Sequence, residues 1–192
     1  TIFCTAKIYS SLKSIPAWHN PLVPPIYILN SLVLGSIITF TIFFYFGIKI
    51  KILSNFVTII CLTALFIKLL YWSLIKKISK SNIETATGLG DSKKTSFFEG
   101  PHTGKNFLTT EMINKINISK SLILRLSFCI FSYLTPAYYF SINEDLILDQ
   151  NIIKVTLIII SILALVGMYI ERYLFFIDSK HTVSLYYGNK VI

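Results

Sequence analysis

The chain has 192 residues, of which 54% are apolar and 14% charged, and its mean hydropathy is +0.66. Soluble domains usually carry about 25% charged residues, so this composition argues against an ordinary globular enzyme and against a disordered region. Lys and Arg number 18 against 9 Asp and Glu, a formal net charge of +9. Because the basic residues fall between and beside long apolar runs, we interpret the charge as a signal of membrane topology and not of nucleic-acid binding.

Several segments are long enough to cross a bilayer, whose core needs about 20 apolar residues in a helix. The predicted spans are 26–48, 53–75, 122–142 and 155–177. A shorter apolar stretch, 1–8, opens the chain without the charged start of a signal peptide, so we interpret it as the end of an earlier helix in a fragment or processed product. The sequence therefore predicts an all-α polytopic membrane bundle, a single domain with four full transmembrane helices and the end of a fifth.

The connections between these spans alternate between two faces of the membrane. The first face holds 7–24, the long segment 76–121 and the tail 178–192, and the second face holds 49–52 and 143–154. Nearly all basic loop residues fall on the first face. Since translocation of Lys and Arg is disfavoured, we expect a multi-pass protein of the bacterial inner membrane whose long loop and C-terminus are cytoplasmic.

Some charged residues lie at membrane depth. Lys68 and Arg125 each lie within about two turns of the first face, so we expect their apolar stems to carry the charge out to water. Glu171 and Arg172 lie deeper, because the apolar helix continues through 173–177. An ionisable group at that depth is costly unless it meets a partner or a water-lined site. Glu171 therefore has either a functional role or an ion pair with a neighbouring helix.

The histidines and cysteines argue against a metal centre in this chain. The histidines all fall on the first face, outside the spans, and are His19, His102 and His181. A membrane haem needs two axial histidines inside the bundle, so we expect no haem. No carboxylate or thiol lies at helical spacing from a histidine, so we expect no metal site. The cysteines lie in apolar segments and are expected to be buried free thiols: Cys4, Cys61 and Cys129.

A proline-rich segment, 18–25, precedes the first full span. Its prolines force a stiff, extended path and are tolerated in the first turn of the following helix. Trp18 and His19 are then held at the membrane surface. They serve either as an interfacial anchor or as part of a site for an amphipathic headgroup.

Several stretches of the sequence together resemble a known family. They are 9–21, 84–90 with 101–106, and 171–176 with 181–188. In this order, and along nearly the whole chain, they resemble the membrane anchor subunit of dimethyl sulfoxide reductase-type molybdoenzymes. The resemblance implies an eight-helix anchor, of which this chain is the C-terminal part from the end of the fourth helix.

The resemblance also implies partners and a ligand. A molybdopterin catalytic subunit and an iron-sulfur subunit dock on one membrane face of such anchors, and the anchor binds menaquinone or ubiquinone there without haem. We assign 76–121 to partner docking. The candidate docking residues are Pro101, His102, Thr103, Gly104, Lys105 and Asn106.

The family's best-supported quinone-site histidine and acidic residue lie upstream of Thr1 and cannot be carried onto this chain. The candidate quinone-binding residues here are Tyr9, Trp18, His19, Glu171, Phe176 and His181. A quinone couples two electrons to two protons, so its site needs an apolar slot for the ring and polar groups that exchange protons at the mouth. A histidine and a partly buried carboxylate suit that role. We hypothesise that these residues form one wall of a quinone pocket in a non-catalytic anchor, with the redox chemistry supplied by the quinone.

The charge bias also bears on the direction of electron flow. Family members that reduce dimethyl sulfoxide outside the cytoplasm place their docking face toward the periplasm, whereas the basic bias here places it inside. A cytoplasm-facing sulfite dehydrogenase, which sends electrons from sulfite to quinone, is therefore favoured over sulfoxide reduction. The alternative is a small polytopic transporter, which would need charged or helix-breaking residues near the middle of its spans. The middles of 26–48 and 155–177 lack charge.

Overall fold

The computed structural model describes residues 1–48, 51–77, 83–88, 118–142, 150–182 and 185. The secondary structure of these residues is helical and includes no strand, which confirms the all-α prediction. The elements are α1 (Ile2–Ser11), α2 (Val23–Tyr45), α3 (Lys51–Lys77), α4 (Ile83–Thr87), α5 (Ile118–Cys129), a π-helical segment (Ile130–Leu134), α6 (Thr135–Ile142) and α7 (Gln150–Ile177).

Four helical stretches are long and apolar enough to cross a membrane, as predicted. They are Val23–Tyr45, Lys51–Lys76, Ser119–Ile142 and Gln150–Ile177. The third is built from α5, the π-helical segment and α6 in succession. Helix α7 has 28 residues, about 42 Å at 1.5 Å per residue. It therefore exceeds an apolar core about 30 Å thick and carries its C-terminal end to the first face.

The start and end of α2 follow from local chemistry. Pro24 and Pro25 lie in its first turn, where the missing N–H of proline costs no helical hydrogen bond. The buried Asn20 side chain accepts a hydrogen bond from the Leu22 amide at 2.9 Å and closes the turn that leads into the helix. After Tyr45 the chain turns at Gly47, whose φ of +80° favours glycine.

Two apolar clusters hold the bundle together. The larger lies where α2, α3, α7 and the span containing the π-helical segment meet, and includes Ile37, Val57, Phe128, Tyr133 and Leu157. The smaller lies at the first-face end, where the loop 12–22 packs on the helices, and includes Ile15, Trp18, Ile26, Tyr71 and Phe175. Many large apolar side chains remain exposed on the outer helix faces, as expected of helices that meet lipid.

Polar side chains join the helices within this apolar interior. Thr41 on α2 and Ser161 on α7 share a hydrogen bond of 2.9 Å. The Tyr133 hydroxyl in the π-helical segment donates to Asn30 Oδ1 on α2 at 2.5 Å. Such bonds fix the rotation of one helix against the next where apolar packing alone discriminates weakly.

Helix α7 approaches the π-helical segment closely at Gly167. A Cβ added there would meet Ser132 Oγ and lie 3.1 Å from the Ser132 amide nitrogen and 3.2 Å from Phe131 Cβ. Because backbone atoms cannot move aside cheaply, we expect Gly167→Ala to lower the free energy of unfolding by about 1–3 kcal/mol. Thermal unfolding in mild detergent measures this loss.

The matched control is Gly35→Ala on α2, where nothing lies within 4 Å of an added Cβ. Its midpoint should stay at the wild-type value or rise slightly, because alanine is the better helix former. Equal losses in the two variants would contradict the packing argument.

All three cysteines are free thiols, as predicted, and their predicted burial is confirmed for Cys61 and Cys129 and wrong for Cys4. Cys4 lies on α1, a short helix that buries only Ala6 among its residues, so its outward face leaves the thiol exposed. Most of the segment 76–121 assigned to partner docking, with all the candidate residues 101–106, lies outside the described residues.

Candidate functional site

Five aromatic rings meet at the first-face end of the bundle, and we call them the aromatic cluster: Tyr9, Trp18, Tyr27, Phe175 and Phe176. Tyr9 lies at its centre. The Tyr9 ring makes edge contacts with Trp18 at 5.0 Å, Phe175 at 5.3 Å and Phe176 at 5.9 Å, and it stacks on Tyr27 at 5.9 Å between centroids. The cluster thus joins α1, the loop 12–22, α2 and the end of α7.

Trp18 fixes the loop 12–22 to helix α7. Its ring stacks on Phe175 at 5.3 Å and 7° between planes, and its Nε1 donates to the Phe175 carbonyl oxygen at 3.0 Å. The Tyr71 hydroxyl on α3 donates to the neighbouring Ala17 carbonyl at 3.1 Å. Trp18 is therefore buried against protein, with 9% of its surface exposed, and anchors the loop to the bundle.

A charged network lies next to the aromatic cluster, and we call it the ionic network: Lys68, Glu171 and Arg172. Lys68 Nζ on α3 donates to Glu171 Oε1 on α7 at 2.5 Å, while Arg172 donates to Glu171 Oε2 through Nε at 2.6 Å and through Nη2. Lys68 and Glu171 are 2% and 1% exposed. The sequence left two interpretations of Glu171, a functional role or an ion pair with a neighbouring helix. The structure contains the ion pair, and the partner is Lys68.

The expectation that Lys68 carries its charge out to water is wrong. Glu171 offers a carboxylate inside the bundle, and the rings of Tyr71 and Trp72 lie 4.9 and 5.5 Å from the Lys68 ammonium. The Phe128 ring lies 5.8 Å away, so an ion pair and three aromatic rings replace water as the partners of the charge. Glu171 is also more buried than the partly buried carboxylate expected at a pocket mouth.

Arg125 pairs with a different carboxylate, outside the ionic network. Its Nη2 reaches the carboxylate of Asp178, just beyond the end of α7, with N–O distances of 2.9 and 3.0 Å. Its guanidinium lies 5.2 Å from the Trp72 ring. The two charged side chains are 26% and 16% exposed, so this pair stands nearer to solvent than the ionic network.

Arg172 links the ionic network to the aromatic cluster, a role that was not predicted from the sequence. Its guanidinium carbon lies 4.0 Å from the Tyr27 ring centroid and 5.2 Å from that of Phe175. Its side chain is 33% exposed, in contrast to the buried Glu171. The spacing of 172, 175 and 176 places these residues on one face of a helix, and this signal could have grouped Arg172 with the aromatic residues.

The structure brings together only some of the candidate quinone-binding residues. Tyr9, Trp18 and Phe176 lie in the aromatic cluster, and Glu171 is joined to it through Arg172. His19 is exposed, with its ring Nδ1 2.8 Å from the Ser10 carbonyl oxygen. Whether these residues contact a quinone stays a prediction.

His181 follows α7 and is half-buried. The next residue, Thr182, donates to the Ser14 carbonyl oxygen through its amide at 2.9 Å and its hydroxyl at 3.1 Å. The start of the tail is thus tied to the same loop as Trp18, and this bond places His181 at the first-face end of the bundle.

The apolar helices and the buried ionic network define a multi-pass helical membrane protein. Over 186 residues the chain is 25% identical to a sulfite dehydrogenase subunit of Allochromatium vinosum, an alignment that covers 96% of this chain and 55% of that protein. The chain therefore spans about half the length of this curated relative. No protein-family model matches the chain, and no solved structure matches it.

Proposed function

We propose that this chain is the quinone-binding membrane anchor of a dimethyl sulfoxide reductase-type molybdopterin oxidoreductase complex. It passes electrons between the membrane quinone pool and an iron-sulfur subunit, which exchanges them with a molybdopterin catalytic subunit. Similarity to a subunit of a sulfite dehydrogenase over 96% of the chain carries this proposal. The same similarity supports a sulfite dehydrogenase as the complex, and in this proposal its electrons pass from sulfite to quinone.

The first-face end of the bundle suits a quinone. Phe176 is 49% exposed and Tyr9 is half-buried, so the aromatic cluster offers an accessible apolar surface on which a planar ring could pack. A bound quinone would supply the two-electron, two-proton chemistry. The exposed imidazole of His19 is placed to exchange protons with solvent, and Arg172 brings hydrogen-bond donors to the edge of the cluster. Glu171, with both carboxylate oxygens bonded, holds Arg172 in place.

The same end of the bundle would carry the partner subunits. The charge bias of the sequence supports an orientation in which this end faces the cytoplasm of a bacterial cell. Described lysines at this end include Lys7, Lys13, Lys76 and Lys180. A quinone bound here would lie on the side where an iron-sulfur subunit docks, which keeps the electron-transfer path short.

Purification of the full-length protein in mild detergent tests this proposal. We expect two subunits to co-purify: one with iron-sulfur clusters, visible by electron paramagnetic resonance, and one with bound molybdopterin. The preparation should bind heptyl hydroxyquinoline N-oxide, a fluorescent quinone analogue. A solitary protein that binds no analogue would overturn the proposal.

A small polytopic transporter is the second candidate, and the buried Lys68–Glu171 pair favours it, because ionisable pairs inside a bundle often mark a transport path. Solute uptake into liposomes by the solitary protein would establish this alternative. Loss of that uptake on replacing Glu171 would assign the path to the ionic network.

A further inference from the structure

The ionic network carries one surplus positive charge, since Lys68 and Arg172 share the single carboxylate of Glu171. Lys68 is 2% exposed and has its ammonium against Glu171 and three rings, so it is inaccessible to a ligand. Arg172 is 33% exposed along its side chain. The surplus charge therefore reaches the surface at Arg172.

Arg172 also has donors that the ion pair does not use. A guanidinium carries five N–H groups on three nitrogens. Its bonds to Glu171 use Nε and Nη2, both directed at Oε2. The two N–H groups of Nη1 lie outside this ion pair, on a side chain that is partly open to its surroundings.

The guanidinium is held rigidly before any ligand arrives. Glu171 accepts hydrogen bonds from it. Its central carbon also lies 4.0 Å from the centroid of the Tyr27 ring and 5.2 Å from that of the Phe175 ring. Lys68 in turn holds the other oxygen of the carboxylate. Little side-chain entropy remains to be lost, so a hydrogen bond from Arg172 to a ligand retains most of its free energy.

The surroundings of Arg172 favour a planar carbonyl compound over a phosphate headgroup. Phosphate sites usually combine several cations or amide donors, whereas Lys68 is buried here and Glu171 opposes a second anion. The adjoining rings of Tyr9 and Phe176 meet edge to face at 77° and offer an apolar surface. A neutral ring with an acceptor oxygen at its edge suits both the single accessible cation and the apolar surface beside it.

We infer that Arg172 is the hydrogen-bond donor to a carbonyl oxygen of the quinone. Glu171 and Lys68 are positioning residues that orient its guanidinium. This inference rests on the proposed function and deepens it, because it assigns the ligand's acceptor oxygen to a residue outside the candidate set drawn from the sequence.

The test measures the affinity of the intact, full-length complex for heptyl hydroxyquinoline N-oxide, which presents an acceptor oxygen on a planar ring. Arg172→Gln should weaken binding about tenfold or more, the loss expected for a hydrogen bond from a charged donor. Arg172→Lys keeps the charge and the pairing to Glu171 but lacks the planar fork, so it should also bind more weakly.

Arg125→Gln is the matched control. Arg125 is likewise an arginine paired with a carboxylate and lying against a ring, but its partners are Asp178 and Trp72. This variant should keep the wild-type affinity. The co-purifying proteins and the thermal midpoint are recorded for each variant, so that a binding change is compared only among assembled complexes.

The outcomes separate this inference from the proposed function. A wild-type complex that binds no analogue would refute the proposed function. Wild-type binding together with unchanged affinity in Arg172→Gln would refute the role of Arg172 alone, as would equal weakening in Arg172→Gln and Arg125→Gln. If Arg172→Gln does not assemble, wild-type affinity in Arg172→Lys overturns the inference.

Discussion

Replacing Glu171 with leucine should destabilise the protein by about 3–5 kcal/mol, the cost of leaving a buried charge without its partner. Lys68 is 2% exposed, and among the described residues Glu171 is the carboxylate with which it pairs. In Glu171→Leu the ammonium would keep only its contacts with ring faces. Those contacts are worth about 2 kcal/mol or more each at a desolvated site, but they do not replace the counter-charge of the carboxylate.

We expect a defined order of stability among the two single variants Lys68→Met and Glu171→Leu and the double variant that combines them. Lys68→Met should cost less than Glu171→Leu, because Arg172 still neutralises the carboxylate. The double variant Lys68→Met with Glu171→Leu should recover much of the loss, since it buries no unpaired charge. Arg172 is left without a carboxylate there, but its partial exposure keeps that cost small.

Unfolding in detergent by heat or by added denaturing surfactant measures this order. Asp178→Leu serves as the comparison, because it breaks the more exposed pair with Arg125 and should cost about 1 kcal/mol or less. A double variant as unstable as Glu171→Leu would show that the loss comes from packing and not from an unpaired charge.

The number of spans was predictable because it depends on chain-local properties. Apolar length decides whether a helix can cross a bilayer, and four runs of sufficient length are visible in the sequence. The π-helical segment was not predicted, although Pro136 offers a physical reason for it. Proline has no N–H to donate to the carbonyl four residues earlier. The amide of the preceding residue, Thr135, bonds to the Ile130 carbonyl five residues earlier, which is the hydrogen-bond spacing of a π-helix.

The ionic network could not be derived from one sequence. Lys68 and Glu171 lie 103 residues apart, and they meet only because α3 and α7 are rotated to face each other. Distance from the membrane boundary alone favoured water as the partner of Lys68, and the structure supplies a carboxylate instead. The depth of Glu171 in the membrane did indicate that its carboxylate needs a partner, but the sequence alone does not identify that partner.

The aromatic cluster was partly predictable. The resemblance to molybdoenzyme anchors selected Tyr9, Trp18 and Phe176, which lie together in the structure. Tyr27 and Phe175 were missed because aromatic residues are common in apolar spans. The helical spacing from Arg172 could have indicated Phe175, whereas nothing in the sequence distinguishes Tyr27. Their role depends on the loop 12–22 folding back over the helix ends.

Truncating Trp18, which anchors the loop 12–22, is the change with the second large expected effect. Trp18→Ala should lower the free energy of unfolding by about 3–5 kcal/mol, the usual cost of truncating a large buried aromatic residue. It removes the stack on Phe175 and the hydrogen bond to the Phe175 carbonyl oxygen. Trp18→Phe keeps a ring on Phe175 but loses the N–H donor and part of the indole volume, so it should cost less than Trp18→Ala, about 1–3 kcal/mol.

Hydrogen exchange separates a local effect from a global one. In Trp18→Ala the amides of the loop 12–22 should exchange faster, including that of Leu22, which donates to the Asn20 side chain. Amides in the middle of α2 and α7 should lose less protection, because the larger apolar cluster around Phe128 does not involve Trp18. Unchanged exchange in the loop would contradict the anchoring role. Since the same ring holds Phe175 and contacts Tyr9 and Phe176, detachment of the loop should also separate the rings that face the proposed quinone.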